Sequence, residues 1–229
     1  MHYFTNFYEM IVEFFSTVLN FMPKFLPGVW MTLQLSFYSI LLGTLFGLLA
    51  TILKLSKKKI LMQLIDCYIT IVRGTPLLLQ LIFIFSALPQ LGIEFDSFSS
   101  AIIGLAFHSG AYISEIFRGA IESIDKGQNE AAKALGMTKL QAMRRIILPQ
   151  AFKRSIPALG NQFIIAIKDS SLASAITITE IIMLTRQYAS IKFDAFPIFF
   201  VAALYYLIIT LSLTKLLAYI EKRLKVNER

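Results

Sequence analysis

The sequence predicts an all-α, polytopic membrane protein with about five transmembrane helices, an N-terminal amphipathic helix and one long cytoplasmic loop. Of the 229 residues, 56% are hydrophobic and only 16% are charged, against roughly 45–50% and about 25% in soluble domains. The mean hydropathy is +0.67. A spanning helix uses about 20 apolar residues, so five of them account for about 100. These values exclude a soluble globule, a disordered chain, a collagen and a disulfide-rich scaffold.

The net charge of +8 is carried by basic residues that lie between the apolar segments. In a soluble protein this charge favours a nucleic-acid partner, but between membrane spans it indicates topology. Cys67 is the single cysteine, so no disulfide can form within the chain. With His2 and His108 as the two histidines, we expect no metal site. We also expect no nucleic-acid partner.

The N-terminal segment has the spacing of an amphipathic helix. Residues 4–22 contain no Lys or Arg, and their apolar residues recur at helical spacing on one face. A signal peptide begins with positive charge, whereas this segment carries Glu9 and Glu13. We therefore predict an amphipathic helix on the membrane surface within residues 1–26. The alternative is a poor first spanning helix.

Five apolar segments follow, each long enough to cross a bilayer. They are residues 27–53, 60–91, 98–123, 156–184 and 196–217. The predicted transmembrane domain is residues 27–220, with a cytoplasmic loop at 124–154, and residues 221–229 form a basic tail. Of the 22 Lys and Arg residues, 17 fall on one side, three on the other and two inside spans. The positive-inside rule then puts the N-terminus outside and the C-terminus in the cytoplasm.

Three of these spans contain local features. Gly43 and Gly47 form a G-x-x-x-G pair, which allows another helix to approach closely. The second span is interrupted by Arg73-Gly74-Thr75-Pro76, where proline removes a backbone donor. The fourth is interrupted by Lys168-Asp169-Ser170-Ser171. We expect a bend or break at both interruptions.

The cytoplasmic loop predicts a compact helical hairpin. Asn129 can cap a first helix, and Gly136 suits a left-handed C-terminal cap. Thr138 can start a second helix over 139–148, which Pro149 would end or kink. Ala131 and Ala132 give the hairpin a small-side-chain face suited to another protein. The alternative is a solvated hairpin without a partner.

The same loop resembles a known motif. Glu130-Ala131-Ala132, three residues, Gly136, nine residues, Ile146, one residue and Leu148-Pro149 are similar to the EAA motif of ABC importer permeases. Other stretches resemble the polar amino acid branch, the histidine, arginine, glutamine and cystine permeases. These are Arg73-Gly74-Thr75-Pro76-Leu77, the residues 110–119 and Lys168-Asp169-Ser170-Ser171-Leu172. The resemblance extends from about Pro27 to the tail, and it implies a multi-pass protein of the bacterial cell (inner) membrane.

The resemblance implies a coupling-helix loop that docks into an ABC ATPase subunit on the cytoplasmic side. Its ATPase-coupling residues are Glu130, Ala131, Ala132, Gly136, Ile146, Leu148 and Pro149. The chain contains no G-x-x-x-x-G-K-[ST] loop, so we expect no ATPase activity of its own and no cofactor in this chain. ATP and magnesium would act in the partner ATPase. Further expected partners are the lipid bilayer, a second permease copy or similar permease, and an extracytoplasmic amino-acid-binding protein.

Charged residues within the spans are candidates for substrate recognition, because such residues are costly in a membrane. A zwitterionic amino acid needs a cation for its carboxylate and an acceptor for its ammonium. Arg73 or Lys168 can serve the first role and Glu115 or Asp169 the second. Alternatively, Glu115 only pairs with Arg118, and Lys168 and Asp169 lie at helix interfaces and only hold helices together. The candidate substrate-binding residues are Arg73, Gly74, Thr75, Gln80, Tyr112, Glu115, Lys168, Asp169, Ser170 and Ser171.

We therefore predict the transmembrane permease subunit of an ATP-driven importer for a polar amino acid. The main alternative is a self-sufficient secondary transporter or channel, which would need no ATPase dock. A membrane scaffold without transport is disfavoured by the intramembrane charges. The sequence does not name the amino acid.

Overall fold

The computed structural model describes residues 2–56 and 58–226, with side chains for residues 8–56 and 58–224. This part of the chain is helical and has no β-strand, which confirms the all-α class. Its α-helices are α1 (His2–Phe21), α2 (Leu26–Leu55), α3 (Lys59–Gly74), α4 (Leu77–Ile82), α5 (Ser97–Glu122), α6 (Lys126–Ala134), α7 (Lys139–Ala142), α8 (Leu148–Asp169), α9 (Ile181–Lys192) and α10 (Ala195–Val226). Met1, Lys57 and the last three residues of the predicted basic tail lie outside the described residues.

Several of the helices are long and apolar enough to cross a membrane. Among the described residues these are Tyr8–Leu55, Ser97–Glu122 and Ala195–Leu224. Helices α3 and α4 qualify as a fourth span when taken together with the turns up to Leu91, and they are bent by 108°. The remaining predicted span, residues 156–184, contains α8, which is interrupted by polar residues such as Asn161 and Gln162. Apolarity alone therefore identifies four of the five predicted spans.

The centre of the fold is the pair formed by α2 and α5, the most extensive helix contact in the structure. A Cβ atom added at Gly43 would lie 3.0 Å from the carbonyl oxygen of Ala106. One added at Gly47 would lie 2.6 Å from Ile113 Cγ2. The predicted close approach at the G-x-x-x-G pair is confirmed, and the partner helix is α5.

A second apolar cluster joins α1 to α9 and α10. Val18, Phe21 and Phe25 pack against Ile181 and Ile198 in this cluster. The Tyr205 hydroxyl donates to the Met22 carbonyl at 2.6 Å, across the 3₁₀ turn that leads into α2. One side of α1 is thus buried against the fold, while apolar and acidic side chains share its exposed side. The membrane-surface location of α1 stays a prediction.

Both predicted helix interruptions are confirmed. Thr75 and Pro76 are extended between α3 and α4, and α8 ends at Asp169, where a 3₁₀ segment, Ser170–Ile176, begins. The segment ends at Thr177, which has a left-handed φ of 70°. The loop before α5 ends at Asp96, whose carboxylate accepts from the amides of Phe98 and Ser99. Hydrogen bonds from Ser99 and Phe98 hold the pKa of Asp96 below its usual value.

Candidate substrate and coupling sites

The hairpin predicted to be cytoplasmic, residues 124–154, has the predicted turn but a different start. Helix α6 begins at Lys126, and its N-cap is Asp125, whose Oδ1 accepts from the Gly127 amide at 2.6 Å. The prediction of Asn129 as cap was wrong, because Asp125 provides a capping carboxylate earlier in the chain.

Gly136, in the turn of the hairpin, has φ +76°, which confirms the left-handed position that glycine occupies without strain. Thr138 caps α7 and forms a capping box with Gln141, in which each side chain accepts from the backbone amide of the other residue.

The second helix does not end at Pro149, which removes one of the two effects predicted for this proline. The chain continues from α7 through a π-helical turn, Met143–Ile147, into α8. A proline at position 149 cannot donate to the carbonyl of residue 145 and crowds it. The wider π turn lies directly before the proline, where it accommodates this defect. The same arrangement recurs at Phe83–Ala87, just before Pro89.

The coupling-motif residues differ in exposure. Glu130, Ala131, Gly136, Leu148 and Pro149 are exposed, whereas Ile146 is half-buried and Ala132 is fully buried. Ala132 therefore supports the packing inside the hairpin and presents no surface in this conformation.

Two exposed leucines of the hairpin were missed by the sequence analysis. Leu135 and Leu140 are 80% and 76% exposed. Leu140 borders a cleft of about 360 Å³ with Gln141, Arg144 and Arg145. Leucines in a polar loop, on either side of a turn glycine, were the available indication. The hairpin thus presents an apolar tip beside two cations.

The base of the hairpin is held to the membrane helices. The Arg154 guanidinium donates to the carbonyl and hydroxyl oxygens of Ser123. Ala120, Ile124 and Ala151 form a small buried cluster at the same level. These contacts join α5 and α8 where the hairpin leaves them, so the hairpin has a defined position relative to both helices.

Within the helical bundle, Glu115 is surrounded by three cations. The Arg118 guanidinium donates to both its oxygens, with Nη2 at 2.8 Å from Oε2 and Nε at 3.1 Å from each. Lys54 Nζ lies 3.6 Å from Oε1, and Arg73 Nη1 lies 3.8 Å from Oε2. The pairing of Glu115 with Arg118, foreseen as the alternative, is present in the structure.

Two further carboxylates flank this cluster. Asp66 Oδ1 lies 2.8 Å from Lys54 Nζ, and Glu122 Oε2 lies 2.6 Å from Arg118 Nη1. Lys54 and Arg118 therefore each have a second acidic partner. In the described residues, Arg73 contacts Glu115 alone among acids, and 46% of its side chain is exposed. Arg73 is the cation of the cluster with most capacity left for a ligand.

Arg73 opens onto a cleft of about 360 Å³ between α3, α5 and α8. Its guanidinium carbon lies 5.3 Å from the centre of the Tyr112 ring, a cation–π distance. Three predicted residues meet here, namely Arg73, Tyr112 and Glu115. The remaining lining residues are Ile116, Ala158, Asn161 and Gln162. The amides of Asn161 and Gln162 were missed, although two polar residues within an apolar run of α8 were an indication.

The other predicted substrate residues do not line this cleft. Ser170 is buried and its hydroxyl donates to the Ile167 carbonyl, while the Ser171 hydroxyl donates to the Lys168 carbonyl. Lys168 is exposed and Asp169 half-buried. Gly74 is exposed at the α3 terminus. The structure thus separates the predicted residues into one group around Arg73 and a second group at the end of α8.

A buried carboxylate, Glu180, was also missed. It is 0% exposed and caps α9 by accepting from the amides of Ile182 and Met183, each at 2.8 Å. The Tyr206 hydroxyl of α10 donates to it at 3.1 Å. An acid directly before an apolar helical run was the available indication. Glu180 fixes the start of α9 against α10.

Residues 39–226 match the protein family described as "Binding-protein-dependent transport system inner membrane component". This match covers most of the chain. The fold of the chain and its hairpin agree with a membrane permease. The chain therefore belongs to this family.

Similar proteins narrow the group further. The glutamine transport system permease protein GlnP of Escherichia coli K12 is 38% identical over 213 residues, 92% of this chain and 97% of that protein. The L-cystine transport system permease protein TcyB of Bacillus subtilis 168 is 38% identical over 90% of this chain and 88% of that protein. A crystal structure of an amino acid ABC transporter has a TM-score of 0.88 and 39% identity, over 91% of this chain and 98% of that one. These similarities place the chain among the amino acid ABC transporter permeases.

Proposed function

We propose that the chain forms the membrane pathway of an ATP-driven importer for a polar L-amino acid of the histidine, arginine, glutamine or cystine type. The observation that supports this most is the cleft beside Arg73, Tyr112 and Glu115. Its volume of about 360 Å³ falls in the range of small-molecule sites, roughly 300–1,000 Å³. The named relatives handle glutamine and cystine, which agrees with a zwitterionic substrate.

Arg73 is the proposed partner of the substrate carboxylate. Its guanidinium offers paired N–H donors for bidentate binding, and its contact with Glu115 is long, at 3.8 Å. Glu115 remains a proposed ammonium acceptor, because a bound ammonium can displace one of its three cations. Tyr112, Asn161 and Gln162 supply an aromatic face and amide oxygens to the same cleft.

The second group, Lys168, Asp169, Ser170 and Ser171, is proposed to act at the helix break. The end of a broken helix offers backbone groups to polar substrates in transporters. Gly74 and Thr75 lie at the other break and are proposed to act in the same way. These two breaks would bind the substrate at successive steps along the pathway.

The hairpin is proposed as the dock for an ABC ATPase, which would hold ATP and magnesium. Its exposed apolar tip, Leu135 and Leu140, fits a partner groove, and Arg144 and Arg145 favour acidic residues at the rim of that groove. Five spans do not enclose a pathway by themselves, so a second permease, identical or similar, would complete it. An extracytoplasmic binding protein would deliver the substrate to the outer face, where the proposed N-terminus lies.

ATP-dependent uptake tests this proposal. The permease is reconstituted in liposomes with its ATPase and binding protein, and uptake of labelled glutamine, arginine, histidine and cystine is measured. We expect uptake of at least one of them, with ATP inside and the binding protein outside. Uptake by the permease alone, without ATPase, would instead support the self-sufficient transporter.

A further inference from the structure

The bend between α3 and α4 leaves a backbone carbonyl without its helical partner. In an uninterrupted helix the Val72 carbonyl would accept from the amide of residue 76, which here is Pro76 and has no N–H. Val72 is 1% exposed, and a carbonyl unsatisfied in a membrane interior is costly. The break therefore needs a substitute donor.

Gln80 of α4 supplies that donor. Its Nε2 lies 2.8 Å from the Val72 carbonyl oxygen, 2.9 Å from Thr75 Oγ1 and 3.2 Å from the Thr75 carbonyl oxygen. The Thr75 hydroxyl in turn donates to the Ile71 carbonyl at 2.8 Å. Because these carbonyl oxygens can only accept hydrogen bonds, the Gln80 side chain must direct its Nε2, and not its Oε1, toward the break. Both amide hydrogens of Gln80 are then used.

The remaining atom of that amide faces α5. Gln80 Oε1 lies 3.2 Å from His108 Nδ1. Since Oε1 can only accept, Nδ1 of His108 must carry the proton. The His108 ring also lies 5.1 Å from the Tyr112 ring, and Tyr112 packs against the Arg73 guanidinium. His108 thus contacts both the break and the residue that supports Arg73.

We propose that Gln80 and His108 form a clamp that positions Arg73. Both amide hydrogens of Gln80 and one lone pair of its Oε1 are already engaged within the clamp, so its amide has no donor left for a ligand. The clamp fixes the angle between α3 and α4. It holds the carbonyl group of Val72, and Arg73 is the next residue in the chain. The transport consequence rests on the proposed role of Arg73 as carboxylate partner.

Matched substitutions test the clamp. The amide N–H of Asn can replace Nδ1–H of His, so His108→Asn should keep the clamp and His108→Leu should break it. Gln80→Leu removes the donor. Gln80→Glu places acceptor oxygens against two carbonyl oxygens, so its effect should be larger. Gln90→Leu, at an exposed glutamine of the same segment, is the control.

Two measurements are made on the reconstituted transporter. The first is the distance between nitroxide labels at positions 60 and 91, both exposed, in a Cys67→Ser background diluted with unlabelled permease. Wild type, His108→Asn and Gln90→Leu should give one narrow distribution, which shifts or broadens in His108→Leu and Gln80→Leu. The second measurement is uptake. We expect His108→Leu and Gln80→Leu to raise the half-saturation concentration for uptake about three- to tenfold, as loss of one hydrogen bond does, with little change in maximal rate.

The outcomes separate the clamp from the proposed function. Unchanged distances in both His108→Leu and Gln80→Leu would overturn the clamp. A His108→Asn variant that behaves like His108→Leu would also overturn it, because the Nδ1 donor would then not be what matters. Altered distances with unchanged half-saturation would support the clamp and reject Arg73 as the carboxylate partner.

Discussion

Among the charged residues around Glu115, Arg73 is the one whose position fits ligand binding better than a purely structural role. It is half-exposed in a cleft, packs on Tyr112 and has one long contact with an acid. We predict that Arg73→Gln raises the half-saturation concentration for uptake about ten- to a hundredfold, as loss of a charge-assisted hydrogen bond does. Basal ATP hydrolysis and melting temperature should change little. Lys192→Gln, at an exposed cation of α9, is the control, and an unchanged half-saturation in Arg73→Gln would contradict the role.

Glu115 has a structural role that can be measured separately. Its carboxylate accepts three hydrogen bonds from Arg118 and faces two further cations. Glu115→Gln leaves these cations less compensated, so we predict a melting temperature lower by about 2–4 °C, equivalent to about 1 kcal/mol. Glu122→Gln, at a more exposed partner of Arg118, should change it much less. Equal melting temperatures for the two variants would show that Glu115 stabilises the fold no more than Glu122 does.

At the scale of elements, the contact between α2 and α5 makes a clear prediction. A methyl group at Gly47 would meet Ile113 at 2.6 Å, and such overpacking costs about 1–3 kcal/mol. Gly119 has nothing within 4 Å of the corresponding position, so Gly119→Ala should be neutral or slightly stabilising. Thermal unfolding of both variants in detergent compares them. A Gly47→Ala variant as stable as Gly119→Ala would mean that the two helices can separate at no cost.

The hairpin makes a second prediction at this scale. Leu140→Ser removes an exposed apolar side chain and should leave the hairpin folded, since its N-cap at Thr138 is intact. We predict loss of ATPase co-purification and of ATP-driven uptake, with normal insertion in the membrane. Leu91→Ser, at a leucine of similar exposure in the turn before α5, should bind ATPase normally. Normal co-purification of Leu140→Ser would remove the leucine tip from the proposed dock.

At this scale, the features that could be predicted from the sequence are those set by interactions between residues close together in the chain. The breaks at Gly74–Pro76 and Lys168–Ser171, the turn at Gly136 and the cap at Thr138 depend on local backbone chemistry, and all four were predicted. The clamp between Gln80 and His108 joins residues 28 positions apart, which no local pattern reveals. The continuation of the helix past Pro149 depends on the π turn before it, which the sequence pattern did not indicate. The amides of Asn161 and Gln162 are recognised as part of a cleft only once Arg73 is seen to lie beside them.

For the whole molecule, orientation is the prediction most open to test. Glu94 and Gln128 are exposed at opposite ends of α5. In a Cys67→Ser background, Glu94→Cys should react with a membrane-impermeant thiol reagent in whole cells. Gln128→Cys should react only after the membrane is opened. The reverse pattern would invert the topology and place the hairpin on the wrong side for an ATPase.

The π turn before Pro149 has a mechanical consequence for the whole molecule. It leaves α7 and α8 as one continuous run of helix from Lys139 to Asp169, about 46 Å along its length at 1.5 Å per residue. The hairpin leucine Leu140 lies near the start of this run, and Asn161 and Gln162 lie further along it. Unbroken helical backbone thus joins the hairpin to the cleft, so a displacement of one is transmitted along the chain to the other.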